Sequence, residues 1–271
     1  MGLLSDLKLF YVYALMNGGT LEIFYIGKGQ DDRVFQHMKE VKRGVIETAK
    51  QNMIAKIENS GNAVKQTVIG KFDSEKEAFA VECTLIHWVY GVDSLTNIAS
   101  GHGANFIRTK NNFGHVTQLE ENSQKPFYVY VLTDSKDNFV FYVGKGKGNR
   151  YSQHQKEVER GLISTLKQQK IHDIVKHGRQ VKPVFVGRFN TKQEALAVES
   201  LLIHWVYGIE SLTNDTSGHG VNFIRPKGHY EELQGIDEPE LNYCIRTKEN
   251  RERNNIIPYL SEIKELIESN W

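Results

Sequence analysis

The chain holds 271 residues, a length that suggests two domains, each able to close a core. Hydrophobic residues make up 39% and charged residues 25%, which excludes a disordered chain on composition, and no apolar run is long enough to span a bilayer. The net charge of +1 singles out no partner as a total, so only its distribution along the chain is informative. The N-terminal MGLLSDLKLF shows no basic leader ahead of an apolar region. Cys83 and Cys244 are the only cysteines, too few for a zinc cluster, and their scarcity places the chain in a reducing, cytoplasmic setting.

In chain order, the first predicted elements are the strands FYVYAL (10–15) and EIFYIG (22–27), rich in aromatic and β-branched residues. The turn-prone NGGT joins them, so they pair antiparallel. A glycine-lysine-glycine turn follows, then a helix over DDRVFQHMKEVKRG stopped by Gly44, then a second helix reaching about Gly61. VKQTVIGKF (64–72) reads as a third strand. SEKEAFAVECTLIHWVYG is a long helix with Ser74 as N-cap and Glu77 at the capping-box position. The unit is α+β: a small three-stranded antiparallel sheet flanked by helices.

The same unit is then written again. An offset of 117 carries Tyr11 to Tyr128, Arg33 to Arg150, His37 to His154, Glu82 to Glu199 and Asn97 to Asn214. The register holds without insertion from Phe10/Phe127 to Arg108/Arg225, with about half the positions identical. A period this long means complete domains and not solenoid units. Boundaries follow at 1–109 and 126–226, with the polar TKNNFGHVTQLEENSQKP between them supplying a linker over 110–125. The remainder, 227–271, contains the acidic EELQGIDEPE. It closes on a helix with Ile257, Leu260, Ile263, Leu266 and Ile267 at helical spacing and Pro258 in its first turn. That helix is suited to packing, against a domain or against a second copy of the chain as a homodimer.

The polar residues shared by both copies carry the chemistry. They are Tyr13, Tyr25, Lys28, Arg33, His37, Glu82 and Asn97, matched by Tyr130, Tyr142, Lys145, Arg150, His154, Glu199 and Asn214. Arg33 and His37 are four apart and project from one helix face. Glu82 and Glu199 lie in apolar helical stretches, where an acid is costly unless paired or bound to a cation. One carboxylate suits Mg²⁺ or Mn²⁺ that keeps its waters and shares phosphate oxygens. Phenols, a guanidinium, an imidazole and a carboxylate together suit the splitting of a phosphodiester. From Lys28 to Lys71 there are 9 Lys/Arg against 5 Asp/Glu, and from Lys145 to Arg188 11 against 3, while 226–271 has 6 against 10. The basic excess thus follows each glycine-rich segment, as binding of a DNA backbone requires, with Lys28, Lys145 and Lys147 as candidate contacts.

Tyr11-Val12-Tyr13 followed by Tyr25-Ile26-Gly27, and Tyr128-Val129-Tyr130 followed by Tyr142-Val143-Gly144, each with arginine, histidine, glutamate and asparagine in order, resemble the GIY-YIG nuclease superfamily. The form FYVGKGxGxR with a later LTN is similar to the LEM-3-like subgroup, the nuclease domains of animal LEM-domain proteins. The resemblance spans about 100 residues in each copy. It implies a metal-dependent endonuclease, of restriction, phage-defence or structure-specific type, acting on duplex DNA that is plain, modified or branched. Tyr13 and Tyr25 would flank the attacking water, with Tyr13 favoured as base. Arg33 would hold the scissile phosphate and His37 would assist proton transfer or bind phosphate. Glu82 would ligate one divalent cation and Asn97 would brace the site, with the same roles at the matching positions of the second copy. The family's first glycine is replaced here by Tyr11 and Tyr128.

Plainer readings stand beside these. Tyr11 belongs to the core, and His87 and His204 in LIHWVYG read as satisfied core histidines. GKGKGN lacks the Ser or Thr of a nucleotide-binding loop, so its glycines serve a turn and close approach to phosphate. His102 and His219 in SGHG serve either DNA contact or the loop itself, and Cys83, matched by Ser200, is no nucleophile. Two rival functions remain: a DNA- or junction-binding protein that does not cut, and an RNA-cleaving toxin or defence effector.

Overall fold

The computed structural model describes residues 10–98, 104–114, 119, 124–215 and 223–230. Strand β1 (Phe10–Asn17) is central, paired antiparallel with β2 (Ile23–Gly29) on one side and β3 (Val64–Phe72) on the other. Its side chains alternate: Tyr11, Tyr13 and Leu15 face one layer and Val12, Ala14 and Met16 the other, and all six are buried. Helices α1 (Arg33–Lys42) and α2 (Ala49–Asn59) belong to the tyrosine layer, and α3 (Glu75–Thr84) to the opposite one. Thr48 opens α2 with a reciprocal capping box to Gln51, and Ser74 opens α3 by accepting from the Glu77 amide. Gly44 and Gly61, at φ of +83° and +80°, turn the chain after α1 and α2. The long helix expected over 74–91 changes character, since α3 runs on as a π-helix over Leu85–Tyr90.

The second copy repeats the plan. Strands β4 (Phe127–Asp134), β5 (Val140–Lys147) and β6 (Val181–Phe189) form a sheet in the order β5-β4-β6. Helices α4 (Arg150–Glu159), α5 (Leu166–Lys176) and α6 (Lys192–Leu201) accompany it, the last again followed by a π-helix over Leu202–Tyr207.

The glycine-lysine-glycine segment is not a turn. β2 continues through Gly29 and β5 through Lys147. A Cβ on Gly27 would sit 2.6 Å from Tyr13 Cζ, and one on Gly29 would sit 2.5 Å from Tyr11 Cε2. These glycines therefore make room for the tyrosine rings of the central strand.

Each unit keeps its own cluster in its tyrosine layer, but the layers of α3 and α6 are shared. One continuous core runs from Val12, Ile26, Ile69 and Leu85 to Val129, Val143, Val186 and Leu202, with α3 against α6 at its centre. Trp88 Nε1 donates to Tyr207 at 3.2 Å, and Trp205 Nε1 donates to Tyr90 at 3.0 Å. The chain also exchanges strand segments. Ile107, which the repeat register places at the end of the first unit, bridges Gly187 of β6. Ile224 in the short strand β7 (Phe223–Ile224) pairs with Gly70 of β3. Next in sequence, Arg108 N–H and Arg225 N–H donate to the Val186 and Ile69 carbonyls at 2.7 and 2.8 Å. Their buried side chains donate through Nε to the Phe185 and Val68 carbonyls. Every one of these contacts has its partner at the offset of 117, so the halves meet as a two-fold dimer does, like surface to like surface.

Part of the predicted linker is packed: Leu119 is buried beside Tyr128 and Tyr130, and its carbonyl accepts from Arg188 Nε. The helix expected near the C-terminus lies outside the described residues, as do His102 and His219. Among the described residues no helix is long and apolar enough to cross a membrane.

Candidate active site

Tyr13 rises from the centre of β1, Tyr25 from the neighbouring β2 and His37 from α1, and their rings converge. Tyr13 lies 6.1 Å from both Tyr25 and His37, and Tyr25 meets His37 edge-on at 5.6 Å. The Tyr13 hydroxyl is 2.7 Å from His37 Nε2, and in the second copy Tyr130 is 2.8 Å from His154 Nε2. Tyr13 is 0% exposed, whereas Tyr25 is half-buried and borders the open side. Burial raises both phenols above the ordinary tyrosine value, Tyr13 very strongly. Tyr13 therefore stays protonated, its hydroxyl hydrogen-bonded to the Nε2 of a neutral imidazole. Burial, with Lys50 and Arg33 nearby, pushes His37 down to about 4; burial and Lys167 do the same to His154.

Behind the imidazole lies a chain of groups absent from the sequence-based reading. His37 Nδ1 makes no hydrogen bond and faces Glu40 Oε2 at 3.9 Å. Glu40 accepts from Gln51 Nε2 at 2.9 Å, and Gln51 is the residue of the α2 capping box. His154, Glu157 and Gln168 repeat this, at 3.9 and 3.0 Å. The first residue of α2 after Ala49 adds a cation: Lys50 Nζ lies 3.3 Å from His37 Nε2 and 4.4 Å from the Tyr25 ring centre. Lys167 Nζ sits 4.5 Å over Tyr142. Partial burial pushes Lys50 down to about 8 and lowers Lys167. Glu40, Lys50 and Gln51 are identical at the offset of 117, so the repeat itself carried the signal that would have found them.

Glu82 stands on the other side of Tyr25 and contributes to raising its pKa. One of its oxygens accepts from Lys28 N–H at 2.8 Å, and Glu199 accepts from Lys145 N–H at 2.9 Å. Burial holds both carboxyls up at about 7. Their Oε2 atoms make no hydrogen bond among the described residues, which leaves an oxygen of each half-buried carboxyl open to a cation. No group of three or more His, Cys, Asp or Glu gathers among the described residues, so any metal here would rely on water and substrate oxygens. Asn97 lies at the back of the site, bracketing Ile26 through N–H and C=O at 3.1 and 2.7 Å, and Asn214 brackets Val143 likewise. Both thus secure an outer strand edge.

The rest of the predicted set is distributed as follows. Arg33 and Arg150 are exposed at the mouth, each donating to the glutamine three residues on, Gln36 and Gln153. Lys28 turns along α3 to Glu75, while Lys145 makes no ion pair among the described residues. Tyr11 is more than core filling: its hydroxyl donates to the Asp31 carbonyl at 2.9 Å and accepts from Val34 N–H at 3.1 Å. It thereby fixes the start of α1, where Arg33 sits, and Tyr128 does the same with Gly148 and Tyr151. His87 is buried in the packed helix, and burial pushes the Cys83 thiol up to about 12, far from a nucleophile's range.

The LEM-3-like GIY-YIG domain family matches the chain twice, over residues 20–133 and 128–227. The chain belongs to the LEM-3-like GIY-YIG family. The first match opens after Tyr11–Tyr13, and the repeat register supplies these residues as counterparts of Tyr128–Tyr130. GIY-YIG domains are in general nuclease domains acting on DNA, and this chain carries two in tandem. Comparison with curated proteins gave no significant match, and neither did comparison with solved structures.

Proposed function

We propose that the chain is a divalent-metal-dependent endonuclease that hydrolyses DNA phosphodiester bonds, with one active site in each repeat and each site cutting one strand of a duplex. The observation that supports this most is that tyrosine pair, histidine, arginine and buried glutamate are complete in both copies with matching distances. Arg33 and Lys50 present cations to the scissile phosphate from the open side. Tyr25, the more exposed phenol, meets the attacking water, and Tyr13 stands behind it. As the water loses its proton to Tyr25 Oη, the Tyr25 proton passes to Tyr13 Oη and the Tyr13 proton to His37 Nε2. Burial does most to keep His37 neutral; bound phosphate offsets the charges of Lys50 and Arg33 that add to it, and Glu40 then favours the imidazolium. Histidine is thereby a better proton acceptor with substrate present than without it. Glu82 and Glu199 would hold Mg²⁺ or Mn²⁺, which supplies charge neutralisation on the phosphate and the leaving oxygen.

The test is incubation of the protein with supercoiled plasmid and Mg²⁺, beside Glu82→Gln and Glu199→Gln. Linear product from the unaltered chain, nicked circles from each single variant and intact plasmid in EDTA are expected. Plasmid left intact but bound would replace this reading with that of a DNA-binding protein.

A further inference from the structure

The two repeats share their catalytic set but not the charges on the elements that carry it. In the first, Lys28 Nζ is held by Glu75 at 2.5 Å and lies 4.1 Å over the Phe79 ring. Lys39 Nζ is held by Asp32 at 3.0 Å, which keeps the Asp32 carboxyl below its usual range. At the offset of 117 both acids are gone: Glu75 becomes Lys192, Asp32 becomes Asn149 and Phe79 becomes Leu196. Lys145 and Lys156 accordingly make no ion pair among the described residues. The segment between β2 and α1 changes in the same sense, with Gln30-Asp31 replaced by Lys147-Gly148. Over the six positions 28, 30, 31, 32, 39 and 75 the formal charge is −1, against +4 over their counterparts. A phosphate approaching the first site must compete with two acids for its lysines. In the second, Lys145, Lys147, Lys156 and Lys192 make no ion pair among the described residues, and only Lys147 has a ring contact, 5.7 Å from Phe127.

We infer that Glu75 and Asp32 mute the DNA contacts of the first site, and that the second site makes the tighter grip on the duplex and the first nick. The inference rests on the reading of two working nuclease sites. Each extra cation on a phosphate steepens the fall of log affinity with log salt by about 0.9. Two extra contacts therefore make the second site's affinity fall roughly tenfold further than the first's across a fourfold rise in salt.

The experiment compares nicking by Glu82→Gln, which leaves the second site, with nicking by Glu199→Gln, which leaves the first, across a KCl series. Faster nicking and a steeper salt dependence are expected from Glu82→Gln. Adding Glu75→Lys to Glu199→Gln should raise both quantities, and adding Lys192→Glu to Glu82→Gln should lower both. Glu75 is half exposed on its side chain, and Glu75→Gln serves as the milder control for folding. In parallel, fluorescence anisotropy with a labelled duplex in EDTA reads the salt slope of binding for Glu75→Lys and Lys192→Glu alone. If none of the proteins nicks DNA, the nuclease reading falls, yet the binding slopes still decide the asymmetry. Equal salt dependence at the two sites, with slopes unmoved by either exchange, would overturn it.

Discussion

Two carboxyls and two imidazoles buried in the sites make opposite demands on the protein's stability, and their balance can be unmasked. Glu82 and Glu199 are held at about 7 against the usual 4.5, so the folded chain keeps protons that the unfolded chain releases. Their contribution is present below about pH 4.5 and is lost as pH rises towards 7. His37 and His154 are held at about 4 against 6.5, so the unfolded chain takes up protons first. Their contribution is present above about pH 6.5 and is lost as pH falls towards 4. Each group gives a slope of about 1.4 kcal/mol per pH unit. Between about pH 5 and pH 6 two rising slopes therefore meet two falling ones and cancel. Glu82→Gln with Glu199→Gln keeps an oxygen for the Lys28 and Lys145 amides but removes the titration. In EDTA, urea unfolding of this double variant should show stability climbing relative to the unaltered chain by about 2–3 kcal/mol from pH 5 to pH 6. Every other titrating group is common to both proteins and drops out of the difference. Parallel pH profiles for the two proteins would refute the argument.

The exchanged segments predict crossed effects: Arg225→Ala should reduce nicking by the first site more than by the second, and Arg108→Ala the reverse. Each also costs about 1–3 kcal/mol, because a buried carbonyl loses its donor; single-site nicking and urea denaturation check both. Gly27→Ala places a methyl 2.6 Å from Tyr13 Cζ, and a loss of roughly 1–3 kcal/mol with strongly reduced first-site activity is expected. Tyr13→Phe leaves His37 Nε2 with Lys50 alone beside it and should lower both melting temperature and rate, whereas Tyr25→Phe should lower the rate with little change in stability. Lys50→Met should weaken DNA binding and raise the His37 pKa, which an NMR titration of the imidazole reads directly.

The strand and helix plan was legible because local signals agreed: aromatic and β-branched strand residues, glycine stops after α1 and α2, and the Ser74 cap before α3. The site was legible because polar residues recurred at a fixed offset in apolar surroundings. Glu40, Lys50 and Gln51 recurred equally but escaped notice, since on a helix they read as an ordinary solvated face. Glu40 lies three residues after His37 on α1, and the packing of α2 on α1 brings Lys50 and Gln51 to join them. The role of Gly27 and Gly29 was misread as a turn because the demand on them comes from tyrosines on the adjacent strand, a long-range steric fact. The shared core was hidden for a similar reason. Val12 and Val129 announce a buried face, but nothing in the sequence says that one half buries its face against the other.

The reciprocal placement of Ile107 and Ile224 has an evolutionary consequence. In a dimer of identical chains every substitution appears on both sides of the axis, so the two sites must change together. Joining the halves in one polypeptide makes their encounter intramolecular and independent of protein concentration, and it also frees each half to drift alone. The pair Glu75 and Lys192 is such a divergence, one that an assembly of identical copies could never hold. A target whose two strands differ can then be met by two sites that differ.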